Sequence, residues 1–249
     1  MNVIVRTHGG LGNQIFQILF GRLLANSIGG SLEIIHDSKY YHNFQLAPQF
    51  YDLSNRSNLL SLTVSFLRLP KLIYKFLKIN LDYVKLHNTY YCDSYFQNQL
   101  SFANFELIDI KKELIYLKSI LGLNVESPLG TLVHLRLGDF FLNKELALEH
   151  AIKRISDCPI GADIITNDNS IINNKEIYDL INNKKCRFIS TQEFQPLQVL
   201  QTMCKYSEID ANESTLVFWA SVFTGAKVEF TSNNLHSLQL LLRSAISTK

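Results

Sequence analysis

The opening forty residues constrain the fold most. Residues 2–6 (N-V-I-V-R) are short, β-branched and soon followed by glycines, which reads as a buried strand. Gly9-Gly10-Leu11-Gly12-Asn13 then reads as a turn. Residues 14–25 are a long apolar run with helical spacing at Ile15, Ile18, Leu19, Arg22 and Leu23, closed by Gly29-Gly30. Residues 31–36 read as a second strand. A strand, a glycine loop, a helix and a strand make a βαβ unit, which commits the chain to parallel strands joined by helical crossovers.

The rest of the chain keeps that rhythm after an irregular stretch. Residues 37–58, rich in Asn, Tyr, Ser and Pro, read as a connection. Residues 59–86 interleave Leu, Phe, Ile and Tyr with Arg68, Lys71, Lys75, Lys78 and Lys85, and Pro70 breaks the segment or starts a second helix. Residues 90–100 are aromatic and can hold a strand, 108–121 are a helix candidate, and 124–130, with Ser127-Pro128, are the best linker candidate. Beyond it, strands are expected at 131–135, 162–166, 187–190, 208–211 and 226–231. Helices are expected at 146–155, 171–181, 197–205, 214–223 and 235–246. The alternation on both sides of the linker implies two α/β domains with parallel sheets, 1–126 and 127–249.

In such sheets ligands bind at the carboxyl ends of the strands. The glycine loop before the first helix can cradle a phosphate on backbone N–H groups. It lacks the third glycine of a dinucleotide fingerprint and the Gly-Lys-Ser/Thr of a Walker loop, so a tight turn with a polar cap explains it equally well. At the end of the 131–135 strand stands His134-Leu-Arg136-Leu-Gly-Asp139. Alternation puts His134 and Arg136 on one face, where an imidazole and a guanidinium fork suit a diphosphate. Read alone, Arg136 paired with Asp139 and a satisfied core His134 account for the same residues. Asn212-Glu213-Ser214-Thr215 precedes an apolar helix containing Trp219, and either hydroxyl can cap that helix.

Taken in order, these segments resemble the alpha-1,2-fucosyltransferases, glycosyltransferase family eleven, and their distant protein O-fucosyltransferase relatives. That family opens with a strand and Gly-Gly-Leu-Gly-Asn-Gln, then an aromatic and a Gln; residues 9–17 read G-G-L-G-N-Q-I-F-Q. Its aromatic segment before the midpoint resembles Asp93-Ser-Tyr-Phe-Gln97. Its H-x-R-R-G-D-Y motif is matched by H-L-R-L-G-D-F at residues 134–140. Its S-D-D strand end is matched by Thr166-Asn167-Asp168, and its last motif by residues 200–219. The departures are Leu137 for the second Arg, Asn167 for an acid, and Glu213, which shifts the Asn-Ser register by one.

The resemblance implies a GT-B-like pair of Rossmann-like domains facing a cleft. The first would carry the glycine loop and the acceptor side, and the second the sugar nucleotide. It implies an inverting transfer of L-fucose from GDP-fucose to a glycan hydroxyl in alpha-1,2 linkage, within bacterial surface polysaccharide synthesis, with no obligatory metal or other cofactor. Arg136, Asn13 and Asp139 are the expected catalytic residues. Gly10, Leu11, Gly12, Gln14, His134, Asp168, Ser214 and Thr215 are the expected substrate contacts, with Asp168 accepting from guanine N–H groups. Asp139 and Glu213 are the candidates for general base. Another sugar nucleotide on the same fold, or an inactive sugar-nucleotide-binding protein, are the competing readings.

Composition limits the partners. A net charge of +2 over 249 residues makes no basic field, so nucleic acid is not an expected partner. Cys92, Cys158, Cys186 and Cys204 form no C-x-x-C pair, which argues for buried free thiols and against a zinc site. The apolar start is too short for a signal peptide, and no stretch reaches the roughly 18 apolar residues of a membrane span. A cytoplasmic protein is therefore expected, with the basic amphipathic segment at residues 59–86 as a peripheral contact to the cytosolic face of the inner membrane. Through it the chain would reach a lipid-linked oligosaccharide acceptor.

Overall fold

A computed structural model describes residues 1–36, 47–48, 50, 83–123, 128–137, 143–191 and 193–248. The expected connection at 37–58 lies almost wholly outside these residues. So do most of the basic segment, the first part of the linker, and Gly138 and Asp139. The chain is mixed α/β and divides into two compact units, Met1–Leu121 with Ser244–Lys249, and Gly122–Arg243. Among the described residues no helix is long and apolar enough to cross a membrane.

The first unit is a four-stranded sheet in the order β2-β1-β4-β3. β1 (Asn2–Thr7) lies between β2 (Ser31–His36) and β4 (Thr89–Cys92), parallel to both. Its Val3-Ile4-Val5 run is buried on both faces, as a central parallel strand requires. β3 (Tyr83–Leu86) runs antiparallel to β4 across a two-residue turn in which His87 has φ +53°. The end of the basic segment is therefore an edge strand, because Lys85 and Tyr90 face each other in a hairpin register.

Helix α1 (Leu11–Ser27) is buried nearly all round. It approaches β1 so closely at Gly21 that an added Cβ would lie 2.3 Å from Val5 Cγ2. The helix begins three residues earlier than expected, since Gly10 is already its extended N-cap. Helix α2 (Leu107–Ile120) packs on α1, and Glu113 accepts hydrogen bonds from Arg22 and Asn26.

The second unit is an all-parallel sheet in the order β7-β6-β5-β8. Its strands are β5 (Leu129–Leu135), β6 (Asp163–Thr166), β7 (Arg187–Ile189) and β8 (Tyr206–Ala211). β5 takes in the end of the expected linker. Helix α3 (Lys144–Asp157) covers one face, burying Ala151 and Ile155 against Val133, Leu135 and Leu137. With α3, helices α4 (Lys175–Asn183) and α5 (Pro196–Met203) make the crossovers, and α6 (Thr215–Thr224) follows β8.

Two expectations change here. The helix expected at 171–181 is split, because Asn174 caps α4 by accepting from Ile177 N at 3.2 Å after a 3-10 turn. The strand expected at 226–231 is a single bridge, Glu208 to Lys227, with the Arg243 guanidinium donating to the Ala226 carbonyl on the side away from β8. Helix α7 (Asn233–Ser247) ends the described fold.

Candidate functional site

In each unit the sheet order reverses beside its first strand, so the loops leaving β1 and β4, and those leaving β5 and β8, open a crevice at the carboxyl edge. In the first unit Gly9 has φ +76°, and a Cβ there would lie 2.6 Å from Asn13 Nδ2, so glycine is required on two counts. The Asn13 and Gln14 N–H groups both turn back to the Gly10 carbonyl, at 3.0 and 3.1 Å. Leu11 and Gly12 supply the first-turn backbone of α1. Gln14, almost wholly buried, donates to the Gly9 carbonyl at 2.9 Å and accepts from Ala47 N at 2.9 Å. Its amide stitches the loop together.

Two of the sequence motifs meet at this crevice. Asn13 Oδ1 accepts from Gln97 Nε2 at 2.8 Å. Arg6 Nη1 pairs with Asp93 Oδ2 at 3.3 Å. Gln17 accepts from the His8 backbone N–H at 3.1 Å, and its amide nitrogen lies 3.2 and 3.5 Å from the two His8 ring nitrogens, against the ring. The His8 ring also meets Tyr95 edge-on, with ring centroids 4.6 Å apart. Phe96 sits at φ +52°, a costly backbone for an aromatic residue, and is held by stacking on Phe20 at 4.0 Å. Sequence reasoning assigned no role to Gln17 or Gln97. The signal for Gln17 was a second glutamine inside an otherwise apolar helix.

In the second unit, His134 pairs in register with Ala211, so the residues just past β5 and β8 run side by side. Val133, Leu135 and Leu137 belong to the α3 core, which leaves His134 and Arg136 to the opposite face by alternation. His134 is only 6% exposed, and its Nδ1 has no protein hydrogen-bond partner among the described residues. Burial, then the charges of Arg136 and Arg154, lower its pKa to about 4. His134 is therefore neutral near pH 7, and Arg136 supplies the positive charge of the pair. Leu137, which stands where the resembled family has a second Arg, is a core residue.

Ser214 is the buried N-cap of α6, yet its hydroxyl makes no capping bond, and Thr215 opens the helix. First-turn N–H groups of that helix thus lack a side-chain cap. Trp219 is fully buried core. Glu213 is engaged elsewhere: Oε1 accepts from Thr231 Oγ1 at 2.7 Å and from Ser232 N, closing the approach to α7.

A groove of about 750 Å³ opens past β6 and β7, lined by Asn167, Asp168, Ser170, Phe188 and Thr191 among others. Asp168 Oδ1 accepts from Ser170 N at 3.1 Å and Ser170 Oγ at 2.6 Å, which fixes its carboxylate at the groove wall. Beside β8 a second groove, about 550 Å³, holds two ion pairs, Arg154 with Asp210 and Lys227 with Glu208, and Glu229 also lines it. Among the described residues no three His, Cys, Asp or Glu side chains group to hold a metal.

No protein family and no curated protein matches the chain by sequence. Similar solved structures include NodZ alpha-1,6-fucosyltransferase co-crystallised with GDP, 14% identical with a TM-score of 0.46. They include NodZ alpha-1,6-fucosyltransferase soaked with GDP-fucose, 13% identical with a TM-score of 0.45. A selenomethionine structure of fucosyltransferase NodZ from Bradyrhizobium is 14% identical with a TM-score of 0.44. Each comparison covers 90% of this chain and 92% of the other.

Proposed function

We propose that this chain is an inverting glycosyltransferase that transfers L-fucose from GDP-fucose to a glycan hydroxyl in alpha-1,2 linkage, in bacterial surface polysaccharide synthesis. One observation carries the reading. Arg136 follows β5 and the Ser214–Thr215 start of α6 follows β8, two adjacent parallel strands where the sheet order reverses, and Ser214 makes no capping bond. A guanidinium and a helix N-terminus at one strand end suit a diphosphate.

The chemistry follows from charge. As GDP departs, negative charge grows on the β-phosphate, and fixed donors aimed at it lower the barrier. Arg136 is assigned that role, with Ser214, Thr215 and the α6 amides. Asn13 and the backbone of Gly10, Leu11 and Gly12 are assigned to substrate within the first unit, on the acceptor side. Asp168 and the groove past β6 take the guanine, and neutral His134 contributes a hydrogen bond to the nucleoside. The acceptor oxygen bonds to the anomeric carbon from the face opposite GDP while its proton passes to a base. Asp139 is assigned either that proton or the orientation of Arg136, since Glu213 is occupied as a cap. No metal is required in this scheme, because no Asp-x-Asp motif stands at a strand end, so turnover should survive excess EDTA.

The test is a melting-temperature panel of sugar nucleotides. A ligand at a hundred times its dissociation constant stabilises by about 2.7 kcal/mol. GDP-fucose should shift the transition and be slowly hydrolysed; a shift with UDP-sugars alone refutes the donor. Peripheral attachment through residues 59–86 is proposed as the route to a lipid-linked acceptor, and flotation with anionic liposomes that weakens with salt would support it.

A further inference from the structure

The parallel ladder between β5 and β6 ends at the Leu135–Thr166 pair. Beyond it the two chains separate, and one side chain spans the gap. Asn167 Oδ1 accepts from the Leu137 backbone N–H at 2.7 Å. The donor is a main-chain amide, so the oxygen of the Asn side chain must be the atom that faces it. The bond acts as one more rung, made by a side chain where the backbone no longer can.

Both ends of this rung are anchored. On the β6 side, Asp168 N donates to Thr166 Oγ1 at 3.1 Å, and Thr191 N donates to Asn169 Oδ1 at 3.3 Å. On the β5 side, Leu137 is buried in the α3 core. Arg136 lies between Leu135 and Leu137, both fixed in that core. We infer that Asn167 is a positioning residue for Arg136: by holding the Leu137 N–H it sets the backbone that aims the guanidinium away from α3. What the position needs is a hydrogen-bond acceptor. A carboxylate serves as well as an amide, so Asn in place of the acid of the resembled family costs this chain nothing. The catalytic consequence rests on the assignment of Arg136 to the diphosphate, but the tie itself does not.

The experiment compares the wild type, Asn167→Ala and Asn167→Asp by amide hydrogen exchange at Leu137 and by GDP-fucose turnover. Loss of the bond in Asn167→Ala should speed exchange at Leu137 about tenfold, the usual scale of one hydrogen bond. Turnover should fall by a similar factor with less change in KM, and Asn167→Asp should restore both to within about threefold. Unchanged exchange in Asn167→Ala, or an Asp variant as impaired as the Ala variant, overturns the proposal. Faster exchange with unaltered turnover reduces Asn167 to a structural tie and refutes the positioning role. A wild type that neither binds nor hydrolyses any GDP-sugar refutes the donor assignment, while exchange at Leu137 still decides the tie.

Discussion

Acidification should weaken this protein through His134 in a window fixed by its burial. The folded imidazole has a pKa of about 4 against an ordinary 6.5, burial being the largest cause. Between those values the unfolded chain holds a proton that the folded chain does not, so unfolding takes up a proton and stability falls as pH falls. The contribution is fully present above about pH 6.5, declines toward pH 4, and changes no further below it. The gap corresponds to about 3 kcal/mol, a large share of a typical stability. Urea unfolding of the wild type and His134→Gln at pH 7, 6, 5 and 4 would isolate it. Gln cannot charge, so its stability should fall less steeply by about that amount, whatever the substitution costs at pH 7. Equal pH slopes in the two proteins would refute the argument, as would an imidazole resonance titrating near 6.5.

Three further outcomes follow from named contacts. Arg136→Ala should lower GDP-fucose turnover by about 10² to 10³, and Arg136→Lys should recover only part of it because a point charge replaces a fork; near-normal rates in the Ala variant would remove Arg136 from the chemistry. Gly9→Ala should destabilise by about 1–2 kcal/mol from the positive φ alone, and more through the clash with Asn13, seen as a lower urea midpoint. Alkylation near neutral pH should label half-exposed Cys186 well before Cys158, whose buried thiol is pushed up to about 11, and peptide mass mapping would show the order.

The elements that follow from periodicity were legible in the sequence: β1, β5, α3 and α7 lie where spacing put them, within a few residues. What failed had local physical causes. The glycines at 9, 10 and 12 look alike as turn formers, but only Gly9 needs a positive φ, and Gly12 is already helical. Residues 226–231 alternate like a strand, yet only Lys227 bridges to β8. The same limit applies to the site. Strand alternation correctly puts His134 and Arg136 opposite the α3 core. It could not show that Gln14 and Glu213 spend their polar atoms inside the protein, nor that Asn167 reaches across 30 residues to Leu137. Those are pairings between chain segments, and one segment does not encode its partner.

The two strand-end clusters also use their polar groups differently, and this bears on the proposed division of labour. At the end of β1, side chains satisfy each other: Asn13 with Gln97, Gln17 with His8, Arg6 with Asp93. Among the described residues of that unit the buried orphan atoms are Glu33 Oε1, in the middle of β2, and Ser101 Oγ. At the ends of β5 and β8 the reverse holds. Among the described residues His134 Nδ1 is buried without a hydrogen-bond partner, and Ser214 leaves α6 without a side-chain cap. A buried orphan costs about 1–3 kcal/mol, so one at this strand edge is expensive unless something outside the protein completes it. A ligand rich in hydrogen-bonding groups is such a completion, and a sugar nucleotide bound at β5 and β8 would remove that cost on binding. In the loop that follows β1 the side chains are already paired with one another. That contrast is the reason the nucleotide is assigned to the second unit and the acceptor to the first.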